Sequence, residues 1–342
     1  MLIAELIAPR QFRLVEQEME ALRPGLLRVR VNAVGICGSD LHSYSEGAVG
    51  DTPSVYPMVL GHEPAGTVVE VGADVTGWSP GDRAALEPAL YCYHCEYCLS
   101  GRHNICQNIR FLSTPGHPGF YREFVDLPAV NLFGIPKSMS MPVASLVEPL
   151  AVALHSMQFA AIAIGETVAV FGAGPIGLLT VASLKAAGAS RIFVVEPVAH
   201  RRELARQMGA TEAIHPGETD APRQILADTG GRGVDCAIDC AARDHTTNWA
   251  IRCVRNGGRV VLTGIHSGAM IPFEVSPMRR KELAIFCVRR SNKEPEAALE
   301  LLTARPAWFA PLVTHTRPLE CIAEAFRIAE EYADGVGKFV IG

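Results

Sequence analysis

The stretch VAVFGAGPIG, residues 168–177, restricts the fold more than any other part of the chain. An apolar, β-branched run leads into Gly172, Gly174 and Gly177 at the spacing G-x-G-x-x-G, and residues 178–187 continue with helical character. A strand, a tight turn and a helix start of this kind suit a dinucleotide. The first glycine permits the turn, the second lets the backbone approach a pyrophosphate, and the third lets helix and strand pack closely. The N–H groups at the helix start, around Pro175 and Ile176, then face the phosphates. Glycine spacing alone would equally describe a flexible turn, so the flanking elements carry the argument. Glu196 ends the next apolar run, 19 residues after Gly177. A carboxylate there accepts hydrogen bonds from ribose hydroxyls and repels a 2′-phosphate, which favours NAD over NADP. His200, Arg201 and Arg202 follow closely and keep a phosphorylated cofactor open, a solvated first helix turn being their plainer reading.

Apolar runs at 167–171, 191–196, 234–239, 259–263 and 283–288 alternate with helical stretches at 178–187, 200–208 and 245–253. Continuous apolar strands between helices predict an α/β unit with a parallel sheet covered on both faces. The first 130 residues read differently, as short strands at 27–33, 65–71 and 83–86 separated by glycine and proline, and residues 143–164 read as helix. A chain of 342 residues is long enough for two cores. The last fifty residues hold two helical stretches and a closing strand at 338–341.

Thirty-one basic and 36 acidic residues give a net charge of −5 without long blocks of one sign. That pattern predicts neither a nucleic-acid nor a membrane partner. Residues 167–184 are apolar enough to raise a membrane span, but their glycines and proline fit a strand, turn and helix better. Residues 1–10 lack the basic stretch and apolar core of a secretory signal, so a cytoplasmic location is expected.

Four of the ten cysteines fall within fifteen residues, as C-x2-C-x2-C-x7-C at Cys92, Cys95, Cys98 and Cys106. Crowded thiols in a chain of this kind indicate a metal rather than disulfides. Four thiolates close a tetrahedral shell, which makes a zinc in this lobe structural. A ferredoxin-type cluster would place the fourth cysteine three residues on with a proline behind it, and neither feature is present. A second donor set is dispersed: Cys37 in GICGSDLH, His62 and Glu63 in GHEPAG, and Glu148 in VEPLAVALH. Each alone is unremarkable, since single cysteines and histidines are mostly structural. Together they offer a thiolate, an imidazole and two carboxylates, enough for a zinc with an open position.

On these motifs the chain resembles the zinc-containing medium-chain alcohol dehydrogenases, and within them the sorbitol (polyol) dehydrogenase branch. GHEPAGTVVEVGADV matches the family's zinc signature through Gly61, His62, Glu63, Gly66, Gly72 and Val75, with the cysteine lobe and GAGPIG following in order. The resemblance implies a GroES-like all-β catalytic domain from 1–150 and 290–342, a structural-zinc lobe near 87–110, and a Rossmann domain from 151–289. It implies that Cys37 and His62 ligate a catalytic zinc, that Glu63 can enter its shell, and that Glu148 stands near the metal directly or through water. Simpler alcohol dehydrogenases carry cysteine at that last position, so glutamate points to polyol, diol or sugar substrates. In C-G-S-D-x-H, Ser39 resembles the hydroxyl that takes the substrate proton, His42 the residue that passes it to solvent, and Asp40 the partner that orients His62. Helix capping by Ser39 or Asp40 and a surface histidine are the plainer alternatives. Four residues are candidate substrate contacts: Tyr44 just past the catalytic loop, Phe111 in a segment, FLSTPG, similar to the branch's pocket, and Arg289 and Asn292, which match its Arg and Asn positions.

The implied reaction is hydride transfer from a secondary alcohol to NAD, with one catalytic and one structural zinc per chain, in a dimer or tetramer. Threonine 3-dehydrogenase, butanediol dehydrogenase and glucose dehydrogenase activities share this plan. A zinc-free quinone reductase and a non-catalytic, nucleotide-binding zinc protein are the readings of other kinds.

Overall fold

The computed structural model describes residues 1–342. It opens with a hairpin, β1 (Leu2–Ala8) against β2 (Gln11–Glu16). The long strand β3 (Leu26–Gly35) follows and runs into the helix α1 (Gly38–Ser45). Then come β4 (Glu63–Val71), β5 (Arg83–Leu86), β6 (Phe124–Pro128) and β7 (Leu132–Gly134). β3 pairs antiparallel with both β4 and β6, and its register sets Gly35 opposite Glu63. The helix expected over 143–164 is shorter and broken: Met141–Ala144 stops, and α2 (Val147–Ala160) begins anew. The Ser145 hydroxyl donates to the Pro142 carbonyl, and Ala161 turns left-handed at φ 44°, which ends α2.

The second sheet is parallel throughout. Its elements are β8 (Thr167–Phe171), α3 (Pro175–Ala187), β9 (Arg191–Val195), α4 (Ala199–Met208), β10 (Glu212–Ile214), α5 (Ala221–Asp228), β11 (Val234–Asp239), α6 (Thr246–Cys253), β12 (Val254–Leu262), α7 (Val275–Lys281) and β13 (Ala284–Cys287). Six strands lie in the order β10-β9-β8-β11-β12-β13, so successive crossovers leave β8 in opposite directions. β11 is buried at every position, Asp235 and Asp239 at its ends included, which is why its apolar residues do not alternate with exposed ones. α3 is apolar on all sides because Gly177 to Leu184 are buried, and Gly188 ends it at φ 85°. β10, α5 and α7 escape a reading by periodicity. β10 has three residues, and α5 and α7 are short, half-polar helices; α5 is marked by its Asp220 cap with Pro222 behind it.

After β13 come α8 (Pro295–Ala304), β14 (Val313–Arg317), α9 (Ile322–Glu331) and β15 (Lys338–Ile341). β15 pairs antiparallel with β3 and parallel with β14, completing a seven-stranded sheet with order β7-β5-β4-β3-β15-β14 and β6 also on β3. The chain thus divides into a first unit, Met1–Ala151 with Asn292–Pro306 and Val313–Gly342, and a second, Val152–Ser291 with Ala307–Leu312. The short 307–312 segment goes with the second unit, where the Lys185 ammonium lies 4.9 Å from the Trp308 ring centre. Each unit has its own core. Leu27, Leu60, Phe120, Tyr121, Phe326 and Phe339 anchor the first. Phe171, Phe193, Ile225, Ile251 and Val260 anchor the second. Full burial of one such side chain contributes about 1.5–3 kcal/mol.

One carboxylate clamps the amino edge of the parallel sheet. Asp235 accepts from the Thr167 N–H at 2.9 Å, Arg232 at 2.6 Å and Arg255 at 2.7 Å. Burial alone would raise its pKa, yet these donors hold it well below the usual carboxylate range. A depressed folded-state pKa stabilises above the unfolded value, and the contribution is lost as pH falls through the folded one. Asp235→Asn is therefore expected to cost about 1–3 kcal/mol at neutral pH. The difference should narrow below about pH 4. Urea unfolding of both proteins at pH 7 and pH 3.5 checks this, and an unchanged difference would refute it.

Candidate functional site

The register of β3 and β4 assembles the dispersed donor set. Cys37 caps α1 two residues beyond Gly35, and Glu63, directly across from Gly35, starts β4 with His62 just before it. One ligand atom from each of Cys37, His62 and Glu63 lies within 4.8 Å of the other two. Asp40, 1% exposed, organises them. Its Oδ1 lies 3.2 Å from His62 Nδ1 and accepts from Ser113 Oγ at 3.1 Å and the Gly61 N–H at 3.3 Å. Its Oδ2 accepts from the Cys37 N–H at 3.2 Å and Tyr121 OH at 3.4 Å. With Nδ1 facing that carboxylate, Nε2 turns toward Ser39 Oγ at 3.5 Å, and that hydroxyl donates to Cys37 Sγ at 3.4 Å. This is how a carboxylate fixes the ring orientation of a metal-ligating histidine. Burial would lower the His62 pKa, but the Asp40 carboxylate and Cys37 reverse that and raise it well above its ordinary value. Burial likewise opposes ionisation of Asp40, and His62 with the backbone donors lowers its pKa nonetheless.

The surroundings carry an excess of negative charge. Glu63, 1% exposed, is ion-paired to Lys338 of β15, itself 1% exposed, which also donates to the Ile36 carbonyl at 2.9 Å. A Cβ on Gly35 would strike the Glu63 carboxylate and lie 2.6 Å from Lys338 Cε, so the pair requires glycine there. Glu148, in the first turn of α2, stands outside the close trio. Burial first, then the Glu63 and Glu87 carboxylates, push it up to about 8 against His62 and Lys338. A half-buried thiol beside a buried imidazole and carboxylate, with one lysine for counter-charge, fits a divalent cation, and nitrogen, sulfur and oxygen donors suit zinc.

The cysteine lobe is a second, closed cluster. Sγ separations are 3.9 Å for Cys92–Cys98 and Cys95–Cys106, and 3.4 Å for Cys92–Cys106. A tetrahedron of Zn–S bonds near 2.3 Å has edges of roughly 3.8 Å. Backbone donation, led by the His94 N–H, pulls Cys92 down to about 5, while burial pushes Cys98 up to about 12. Asn292, expected at the substrate, instead ties this lobe down: its Nδ2 donates to the Gly101 carbonyl at 2.8 Å and its Oδ1 accepts from the His103 N–H at 2.9 Å.

In the second unit Gly172 turns at φ 92°, and a Cβ on Gly177 would collide with the Gly172 carbonyl. Gly174 caps α3, and a Cβ there would meet nothing within 4 Å, which leaves an open side for phosphate. Glu196, 4% exposed, accepts from the Ala173 N–H at 2.7 Å and the Val198 N–H at 2.8 Å, so it braces the glycine loop as well as ending β9's run. Arg202 is committed to the Glu196 and Pro197 carbonyls, and Arg201 is buried in α4. Pro175 and Ile176 open α3 as expected.

The remaining candidates divide. The Phe111 ring lies 5.4 Å from that of His62. Tyr44 is 4% exposed and packs against Phe12 and Phe326, which makes it core rather than a substrate contact. His42 Nδ1 faces Glu46 at 3.0 Å on α1. Arg289 falls in the second unit beyond β13. Lys338, Tyr121, Ser113 and Glu87 escape the motifs. Lys338 alone leaves a trace, as a charged residue inside an apolar closing strand.

Lys338→Met removes the cation and leaves Glu63 buried without it, at an expected cost of about 3–5 kcal/mol. Lys338→Met with Glu63→Gln should recover more than half of that loss in denaturant unfolding. Additive losses in the double variant would disprove the coupling.

Comparison with known proteins agrees with this geometry. Residues 23–137 match the alcohol dehydrogenase GroES-like domain, and residues 175–304 match the zinc-binding dehydrogenase domain. Sorbitol dehydrogenase of Bacillus subtilis is 36% identical over 313 residues, covering 92% of this chain and 89% of that protein. A zinc-binding dehydrogenase of Sinorhizobium meliloti bound to NADP superposes with TM-score 0.90 at 30% identity, covering 99% of this chain and 98% of the other. The 2R,3R-butanediol dehydrogenase of Bacillus subtilis superposes with TM-score 0.87 at 29% identity, covering 99% of both chains. The chain belongs to the zinc-binding, medium-chain alcohol dehydrogenase family, in its polyol dehydrogenase branch.

Proposed function

We propose that this protein oxidises a secondary hydroxyl of a small polyol to a ketone and passes the hydride to NAD. The cluster of half-buried Cys37 with buried His62 and Glu63 beside the Ser39 hydroxyl, with Glu148 in place of a further cysteine, carries the reading. Cys37 and His62 would hold zinc, with Glu63 or Glu148 completing the shell. When bound, zinc supplies Lewis-acid polarisation of the substrate hydroxyl and the nicotinamide accepts the hydride. The residues supply position and proton handling. Asp40 holds His62 in one orientation. Ser39 Oγ, within hydrogen-bond reach of the cluster, would take the substrate proton while releasing its own, and His42 with Glu46 would carry the released proton toward solvent. Phe111, whose ring lies beside that of His62, would line the substrate.

Glu196 supports NAD, since its buried carboxylate meets a ribose and opposes a 2′-phosphate. All ten cysteines are free, which supports a reducing, cytoplasmic setting. An oligomer of identical chains is supported by β13, the open edge of its sheet, and by Ile265, Met270, Phe273 and Val275 exposed nearby. Butanediol oxidation is the second reading, favoured by the likeness to the butanediol dehydrogenase.

NAD reduction by the zinc-loaded protein with sorbitol, xylitol, 2,3-butanediol, glucose, threonine and simple alcohols, with NADP in parallel, tests the reading. Polyols with NAD are expected to give the highest kcat/KM. Preference for butanediol would move the substrate, and turnover unaffected by complete zinc removal would overturn the mechanism. Cys37→Ser should abolish turnover while the cysteine lobe keeps its zinc equivalent, measured by metal analysis.

A further inference from the structure

His266 is the fourth residue beyond β12, on a loop leaving the carboxyl edge of the parallel sheet. Its Nε2 lies 3.4 Å from the Thr247 hydroxyl. Thr247, fully buried in α6, donates its hydroxyl to Asp239 Oδ2 at 2.8 Å. The Ala241 and Ala242 N–H groups also point at Asp239, at 3.1 and 3.0 Å, so this carboxylate is an acceptor on every side. A hydroxyl has one proton, and with that proton on Asp239 it can only accept from the ring. Nε2 therefore carries the hydrogen, and in the neutral imidazole Nδ1 is left as an acceptor. That Nδ1 is buried and receives no hydrogen bond within the protein. Buried polar atoms normally have partners, so the missing donor comes from outside the chain.

The loops around it show where such a donor would lie. A Cβ on Gly172 would meet Ala241 Cβ at 2.9 Å, and one on Gly264 would meet Ala242 Cβ at 2.8 Å. The glycine loop, the 240–242 turn and the loop bearing His266 are thus packed side by side. Strand order places Glu196, after β9, on one side of β8 and His266, after β12, on the other. A dinucleotide with its adenosine ribose at Glu196 and its pyrophosphate on the glycine loop carries its other half toward β11 and β12. That half has two kinds of donor, the carboxamide N–H and the ribose O–H, whereas the phosphates only accept.

We infer that His266 Nδ1 accepts a hydrogen bond from the nicotinamide-riboside half of the bound dinucleotide, in an orientation set by the Asp239–Thr247 relay. The inference rests on the dinucleotide reading above. Calorimetric titration of the zinc-loaded full chain tests it without any turnover. His266→Leu should weaken NAD binding about fivefold to tenfold, the worth of one neutral hydrogen bond. ADP, which lacks that half, should bind wild type and variant alike. His266→Asn, which can place an oxygen where Nδ1 was, should stay within about twofold of wild type. ADP-ribose and the 3-acetylpyridine analogue of NAD separate the two donors. A wild-type advantage over His266→Leu kept with ADP-ribose assigns the ribose, and one lost with the acetylpyridine analogue assigns the carboxamide. Equal NAD affinity in wild type and His266→Leu, or an equal loss for ADP, would overturn the inference. Failure of the wild type to bind NAD would instead remove the dinucleotide reading beneath it.

Discussion

Negative charge buried in the first unit sets the terms for everything around it. Asp40, Glu63 and Glu148 are withdrawn from water near the Cys37 thiol, and burial of unpaired carboxylates is costly. The fold answers in three ways. Asp40 is surrounded by backbone and hydroxyl donors, which satisfies it without neutralising it. Glu63 takes the one buried lysine, through a space that exists because residue 35 has no side chain. Glu148 is shifted toward its protonated form. A cation at Cys37 and His62 would answer the remainder, and metal affinity would then follow from the same electrostatics that otherwise destabilise the unit.

The second unit handles charge differently. Its carboxylates sit at opposite ends of one parallel sheet. Asp235 locks the amino edge through arginines and Thr167, while Glu196 and Asp239 receive backbone N–H groups at the carboxyl edge. The amino-edge residue serves stability. The carboxyl-edge residues shape the loops over which an open α/β sheet takes its ligand.

What sequence could reveal follows from how local each feature is. The glycine loop and the cysteine lobe are written in consecutive residues, and both were legible with their chemistry. Cys37, His62 and Glu63 were legible as donors, but their meeting depends on the register Gly35↔Glu63, which no local pattern states. Tyr44 and Asn292 show the limit of reading by neighbourhood. Both flank functional motifs, yet one side chain points into an aromatic core and the other into the cysteine lobe. The Asp239–Thr247–His266 relay spans a strand, a helix and a loop, so only the packed structure reveals it.

Lys338 also bears on the order in which the protein can be made. It is separated by 302 residues from Ile36, whose carbonyl it holds. On a ribosome, Glu63 and the cysteine lobe emerge long before the lysine and Asn292 that secure them. The second unit's sheet is by contrast encoded in one continuous stretch. Domains fold as units during synthesis. Here the earlier-translated unit is the one that must wait, because the lysine that pairs with Glu63 is not available until residue 338 has emerged.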